Sequence, residues 1–356
     1  MSRLVSTLCI FLLTFGCSHS RSSIKPVAAA GPGQPSKVPL CAEGTPRLNE
    51  EELFAAGTAA FGEEAFEGAA RCFGQLADTY PGGRYREEAL YKAGVSHERL
   101  QDWDAALTRF ATLADPQAPE GHALDGAFRQ AETLYHMGRF TEAQDLLRQI
   151  ASRSDLPLPR RLEAQVQLGV CELEAGETAA AEATLRKAIE AYGPLRERAE
   201  VEDYYPAQAQ FFLGELYRIH CEEVHLDPGK GADSLGKDLE YKAELLLSAQ
   251  GHYLRAIRMS HPYWATAAGA QIGLLYEGLY EEMVHAPLPR ELATQQADIY
   301  RQELRKKIRV LMAKAINAYE QTLEAAERVG SAGPFVEKTR ESLKRMKALM
   351  IAEADS

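Results

Sequence analysis

Residues 60–94 read AFGEEAFEGAARCFGQLADTYPGGRYREEALYKAG, and this stretch decides the fold. Ala69, Phe73 and Leu76 stand at steps of four and three, the spacing of one helix face. Tyr80-Pro81-Gly82-Gly83 then ends that helix, because proline offers no amide and glycine lets the chain turn. A new helical run climbs to Gly94, 37 residues after Gly57 of an earlier stripe made by Leu53, Ala56, Gly57 and Ala60. The same step continues outward: Gly57, Gly94, Ala131 and Gly169 lie 37, 37 and 38 positions apart. Ala69, Ala106, Ala143 and Ala181 keep it, as do Phe73, Phe110, Leu147 and Leu185. Small and large residues recurring together mean that one two-helix unit is stacked several times, with the small residue of one helix facing the large residue of the next. Phe66, Trp103 and Phe140 also recur, each three residues before the repeated alanine.

This pattern resembles the tetratricopeptide repeat: a small residue late in the first helix, an aromatic before an alanine in the second, a large apolar residue four further on, and often a terminal proline. The resemblance covers about residues 50–195. It implies an all-α, right-handed α-solenoid that holds protein partners, and its 37-residue form is similar to repeat lipoproteins of the bacterial envelope, including those of barrel assembly and the Tol system. Beyond residue 195 the units lengthen. Leu213-Gly214 with Tyr217 reads as a fifth first helix whose partner is delayed to Ala249, Tyr253 and Ala256, past an interruption at 227–238. Ile272-Gly273 with Tyr276 starts a sixth, partnered only at Ala315 and Tyr319. A final amphipathic helix from about Phe335 to Ile351 would cap the last unpaired face, giving about six units plus a cap.

At the start of the chain, Arg3 precedes the apolar run Leu8 to Phe15, too short to span a bilayer and ending in Gly16-Cys17-Ser18. This resembles a lipoprotein signal, in which Cys17 becomes the acylated first residue and Ser18 directs sorting to the periplasmic face of the outer membrane. Ordinary cleavage, near Ala28-Ala29-Ala30, is the alternative. Residues 17–46 are rich in Ser, Pro, Gly and Ala and read as a flexible linker with a reach of roughly 30 Å. The expected organisation is therefore a signal peptide at 1–16, acylated cysteine and linker at 17–46, four regular repeats at 47–195, and two extended units with the capping helix at 196–356.

The chain has 356 residues, 46% of them hydrophobic, enough for a long packed core, and its net charge of −11 argues against nucleic acid. Cys41, Cys72, Cys171 and Cys221 are scattered at spacings of neither a zinc site nor a dense disulfide framework. The near P-loop at 231–238 fails because Asp238 stands where a Ser or Thr would hold magnesium, which makes a flexible insertion the better reading. His220, Cys221 and His225 lack a fourth ligand at sensible spacing, and Glu222-Glu223 and Glu281-Glu282 read as solvated helix faces. No GxSxG or HExxH motif occurs, so no catalytic residue, metal, cofactor or small-molecule substrate is expected.

A ligand would meet the first helices, which line the inner side of such a stack. Phe54, Tyr91, Phe128, Val166 and Phe211 each lie three residues before the small position, and Glu51, Glu88, Asp125 and Glu163 recur beside them. Two readings stand: an aromatic-floored, acidic-rimmed groove for a basic and apolar segment, or packing between adjacent first helices. On the last units Arg301, Arg305, Lys306, Lys307 and Arg309 form a basic patch, which is a solvated face, an anionic-lipid contact or an acidic-partner contact. The functional expectation is a lipid-anchored scaffold for envelope proteins in motility, secretion or envelope-assembly machinery. The alternative is a helical module that binds cell-wall glycan, linked to Tol-Pal or peptidoglycan synthesis.

Overall fold

The computed structural model describes residues 41, 48–116, 121–196, 203–227, 232–285 and 294–354. Thirteen helices and no strand are found among them. Four short pairs come first: α1 (Glu50–Gly62) with α2 (Phe66–Thr79), α3 (Arg86–Arg99) with α4 (Trp103–Leu113), α5 (His122–His136) with α6 (Phe140–Ala151), and α7 (Leu158–Glu174) with α8 (Thr178–Arg196). Two long pairs follow, α9 (Tyr204–Glu223) with α10 (Ala232–Arg258) and α11 (Pro262–His285) with α12 (Thr294–Arg328), and α13 (Pro334–Ala354) closes the series. Each helix packs on the next in sequence, and α3 touches α5, α7 touches α9 and α9 touches α11. The architecture is an all-α repeat solenoid.

The contact that builds every pair is the small residue against the large one. A Cβ added at Gly57 would lie 2.8 Å from the Phe73 ring, at Gly94 2.5 Å from Phe110, and at Gly169 2.7 Å from Leu185. No such atom fits, so these first helices need glycine to let the second helix come close. The third pair solves the same problem differently, with Ala131 and Leu147 both buried: a larger small residue meets a smaller large one. In the long pairs a Cβ added at Gly214 would lie 2.5 Å from the Tyr253 ring and one added at Gly273 would overlap the Tyr319 ring, so the delayed partners expected from the sequence are the ones that pack. Tyrosine brings a hydroxyl into the core, and a buried acceptor satisfies it: Tyr253 Oη donates to Glu215 Oε1 at 2.5 Å and Tyr319 Oη to Glu277 Oε2 at 2.6 Å.

The turn inside each short pair also keeps the register. Glu64, Gln101, Gly138 and Gly176, each seven residues after the small position, all adopt positive φ, between 58° and 82°. Glycine takes this conformation freely, whereas Glu64 and Gln101 adopt it at a cost of about 1 kcal/mol each. The sequence shows this position only in the two units that carry glycine.

Both ends of the series are secured. Asn49 and Glu52 form a reciprocal cap on α1, each side chain accepting from the other's amide at 2.9 Å. Cys41 is disulfide-bonded to Cys72 on α2, with Cα atoms 5.2 Å apart, a pairing that the scattered spacing did not reveal. At the other end α13 packs on α11 and α12, and Arg345 Nε donates to Glu277 Oε1 at 2.7 Å, tying the last helix to the same glutamate that holds Tyr319. Residues 232–238, read from the sequence as a flexible insertion, are instead the first turns of α10. The buried Lys242 amino group donates to the carbonyls of Cys221 and Val224 at 2.9 and 2.8 Å and pairs with Glu282 at 2.8 Å, joining α9, α10 and α11. Cys221, once weighed as a metal ligand, lies in this junction with its thiol 3.6 Å from the Lys242 carbonyl. Among the described residues no helix is long and apolar enough to cross a membrane.

Gly94→Ala should destabilise the chain by about 1–3 kcal/mol despite the better helix propensity of alanine, because Phe110 is fully buried and has nowhere to go. Adding Phe110→Leu should restore part of the loss, as in the natural Ala131 and Leu147 pair. Urea denaturation of the single and double variants measures both steps, and a stable Gly94→Ala chain would refute the packing argument.

Candidate interaction face

The first helices carry the row of residues three places before each small position, and burial increases along it. Phe54 is half-buried on α1, its ring stacked on Tyr85 at 4.2 Å with the Lys92 ammonium 5.1 Å from its centroid. Tyr91 on α3 is also half-buried, edge-on to Phe110 at 6.1 Å and accepting from Arg129 Nε at 3.3 Å. Phe128 on α5 is buried, with the Arg160 guanidinium 4.4 Å above its ring. Val166 and Phe211 are buried as well, and Phe211 packs against Tyr253 and Trp264. At Phe128, Val166 and Phe211 the packing alternative describes the structure, and a continuous aromatic floor is not formed. Phe54 and Tyr91 retain accessible surface.

The acidic row is likewise not a free negative rim. Glu51 lies 3.6 Å from Arg84, Glu88 lies 2.9 Å from Lys92 one turn on, and Arg160 pairs with both Asp125 and Glu163, the latter at 2.7 Å. Burial raises the Glu163 carboxyl, with Arg160 and a hydrogen bond from Tyr205 of α9 opposing the rise. Every member of the row has a cation beside it within the chain, so the attraction for a basic ligand expected from the sequence is largely cancelled. Arg160 lies 35 residues after Asp125, and Arg84 33 after Glu51, separations that the 37-residue step does not mark.

Further polar contacts link successive first helices. Arg129 on α5 reaches back to Glu98 on α3 at 3.4 Å and sideways to Glu132 at 3.0 Å, while Thr133 Oγ1 donates to Glu98 Oε1 at 3.3 Å. Burial raises the Glu98 carboxyl, against the lowering influence of Arg129. Burial also opposes the charge on Arg129, but Glu132 and Glu98 outweigh it and raise its pKa. The face formed by these helices is therefore a mixed ladder of half-exposed aromatics and internally paired charges.

The other expected sites are placed as follows. Arg305, Lys306, Lys307 and Arg309 are exposed on α12 around the buried Ile308, and Arg301 lies on the same helix. Cys17 lies outside the described residues.

The folded chain holds the Glu98 proton at pH values where the unfolded chain has released it, so this residue costs stability as pH rises from the usual carboxylate range into neutral pH. Glu98→Gln should remove that slope. Thermal melts at about pH 5 and about pH 8 should show the wild type losing more than the variant on the alkaline side. Equal losses would mean that Glu98 is ionised throughout.

No curated protein matches the chain. Solved structures that resemble it include the apo form of RapI, at 12% identity and a TM-score of 0.46, covering 86% of this chain and 99% of that one. A tetratricopeptide repeat protein from Parabacteroides merdae matches at 14% identity and a TM-score of 0.38, covering 84% and 98%. MamA from Desulfovibrio magneticus RS-1 matches at 15% identity and a TM-score of 0.37, covering 57% and 96%. The family model described as tetratricopeptide repeat matches residues 88–115, 125–154 and 163–193. Each match falls on one helix pair, α3 with α4, α5 with α6 and α7 with α8, and the chain thus carries tetratricopeptide repeats, the build of a protein–protein interaction scaffold.

Proposed function

We propose that this chain is a lipid-anchored scaffold of a bacterial envelope complex, held through Cys17 at the periplasmic face of the outer membrane and capturing a partner protein on its first-helix face. The complex is of the motility, secretion or envelope-assembly kind. The observation that carries the reading is the half-exposure of Phe54 and Tyr91 on adjacent first helices, flanked by charges already paired within the chain. Such a surface favours apolar side chains of a partner and does not select strongly for charge. Export is supported by Arg3, the apolar run Leu8 to Phe15 and Gly16-Cys17-Ser18. It is supported also by the Cys41 to Cys72 disulfide, a bond that persists in oxidising compartments. Glycan binding is less favoured, because sugars stack on uncovered rings and both Tyr85 and Lys92 lie over Phe54.

A photo-cross-linking amino acid placed at Phe54 or Tyr91 should trap a discrete protein in cells, whereas the same group at the exposed Glu67 of α2 should not. Adducts from position 67 alone would move the contact to the second helices, and retention on purified cell wall without any protein adduct would favour the glycan reading. Cys17→Ser should release the chain from the membrane fraction. Unchanged retention would rule out the acyl anchor.

A further inference from the structure

A cavity of about 540 Å³ lies between α8, α9 and α10, and none of the first-helix row residues lines it. Its floor is held rigid by a chain of contacts. Arg186 on α8 pairs with Glu182 at 2.8 Å and donates to Tyr217 Oη on α9 at 2.9 Å. The Tyr217 ring stacks on His252 of α10 at 5.4 Å and 9°, and His252 Nδ1 donates to Gln210 Oε1 at 2.9 Å. Above this floor Gly251 has no side chain, and the Arg255 guanidinium lies across the gap, with both terminal nitrogens 3.9 Å from where a Cβ would stand. Arg255 is exposed and makes no ion pair among the described residues. Ile189, Leu213 and Leu247 supply apolar wall, and Leu247 is 60% exposed, so its side chain is open to a ligand.

The charges favour an anion of a particular kind. At His252, burial lowers the imidazole pKa to about 4, and Arg255 and Arg186 lower it further than Glu182 raises it, so cations dominate the field at the floor. Glu190 shares the lining and Arg186 is already committed to Glu182, which leaves Arg255 as the one lining cation without an ion pair among the described residues. A dianion would face Glu190 without a second free cation. We propose that this cavity binds a monocarboxylate carrying a short apolar chain, the carboxylate on Arg255 beside Arg186 and the chain against Leu213 and Leu247. Arginine suits the task because its planar fork matches a carboxylate. The same chemistry could be offered by a free acid or by an acidic side chain next to leucine on a peptide.

The test is calorimetric titration of the full chain with hexanoate, hexanol, hexylamine, inorganic phosphate and acetyl-Leu-Glu-Leu-amide. Hexanoate or the peptide should bind saturably, and the alcohol, amine and phosphate at least about ten-fold more weakly. Arg255→Gln should weaken the binding by about ten-fold or more with little change in melting temperature, since Arg255 makes no hydrogen bond or ion pair among the described residues. Arg255→Lys should retain part of it. Peptide binding about ten-fold tighter than hexanoate identifies a polypeptide source, and equal or weaker peptide binding identifies a free acid. Absence of saturable binding by both, or undiminished binding by Arg255→Gln, overturns the proposal. Loss of cross-linking at Phe54 would leave it intact, because the two surfaces share no residue.

Discussion

The close approach of a glycine or alanine to the large side chain of its partner helix is the constraint on which the whole series rests. A side chain at Gly94 would push Phe110 from its buried place and loosen the surface on which the next pair stacks. The structure meets the constraint with several residue pairs: Gly with Phe, Ala with Leu, Gly with Leu, and Gly with Tyr in the two long pairs. Substituting tyrosine for phenylalanine has a further consequence. Its hydroxyl requires a buried acceptor, and the acceptor carboxylates then require cations, Arg218 for Glu215 and Arg345 for Glu277. One change of side chain thereby adds a polar network to the core and recruits α13 as the closing helix.

The same economy of pairing explains the face that partners would meet. Glu51, Glu88, Asp125 and Glu163 stand one per unit, and taken alone they would give the stack of four a negative edge. Arg84, Lys92 and Arg160 remove it, partly within a helix and partly across the seam between neighbouring first helices. Charges engaged in this way contribute little to stability where they are exposed, as Glu51 and Arg84 are. Their effect is to leave the aromatic positions as the accessible source of affinity. Toward α9 even these positions close, because Trp264 and Tyr253 cover Phe211.

The lengthened pairs differ from the regular ones in more than helix length. Between α8 and α10 the second helices leave a cavity in which the Arg255 guanidinium faces apolar wall, whereas at the seam between α2 and α4 Arg109 pairs with Asp78 at 2.7 Å. Lys242 and its three partners then lock α9, α10 and α11 together next to that cavity. The regular half is thus suited to holding an extended surface, and the long half is built around polar groups drawn from distant positions in the chain.

How far the sequence could be read follows from the range of each interaction. Helix pairs, their stacking, the partners of Gly214 and Gly273 and the closing helix were all legible, because amphipathic spacing is local and the small and large residues repeat at a visible step. The turn position shared by Glu64, Gln101, Gly138 and Gly176 was half legible, since only glycine announces positive φ. Candidate site residues were placed on the right helices, but their state was not legible: Phe128 and Phe211 are buried, and each acidic residue has a counter-ion. Nor did spacing reveal the Cys41 to Cys72 disulfide or the helical start of α10. The sequence by itself determined the repeating unit and its order, which depend on neighbours three, four and sixteen residues away. Tertiary structure alone decided which aromatics stay exposed, which charges are neutralised and where a cavity opens, because those depend on side chains brought together from different units, whose separations follow no single period.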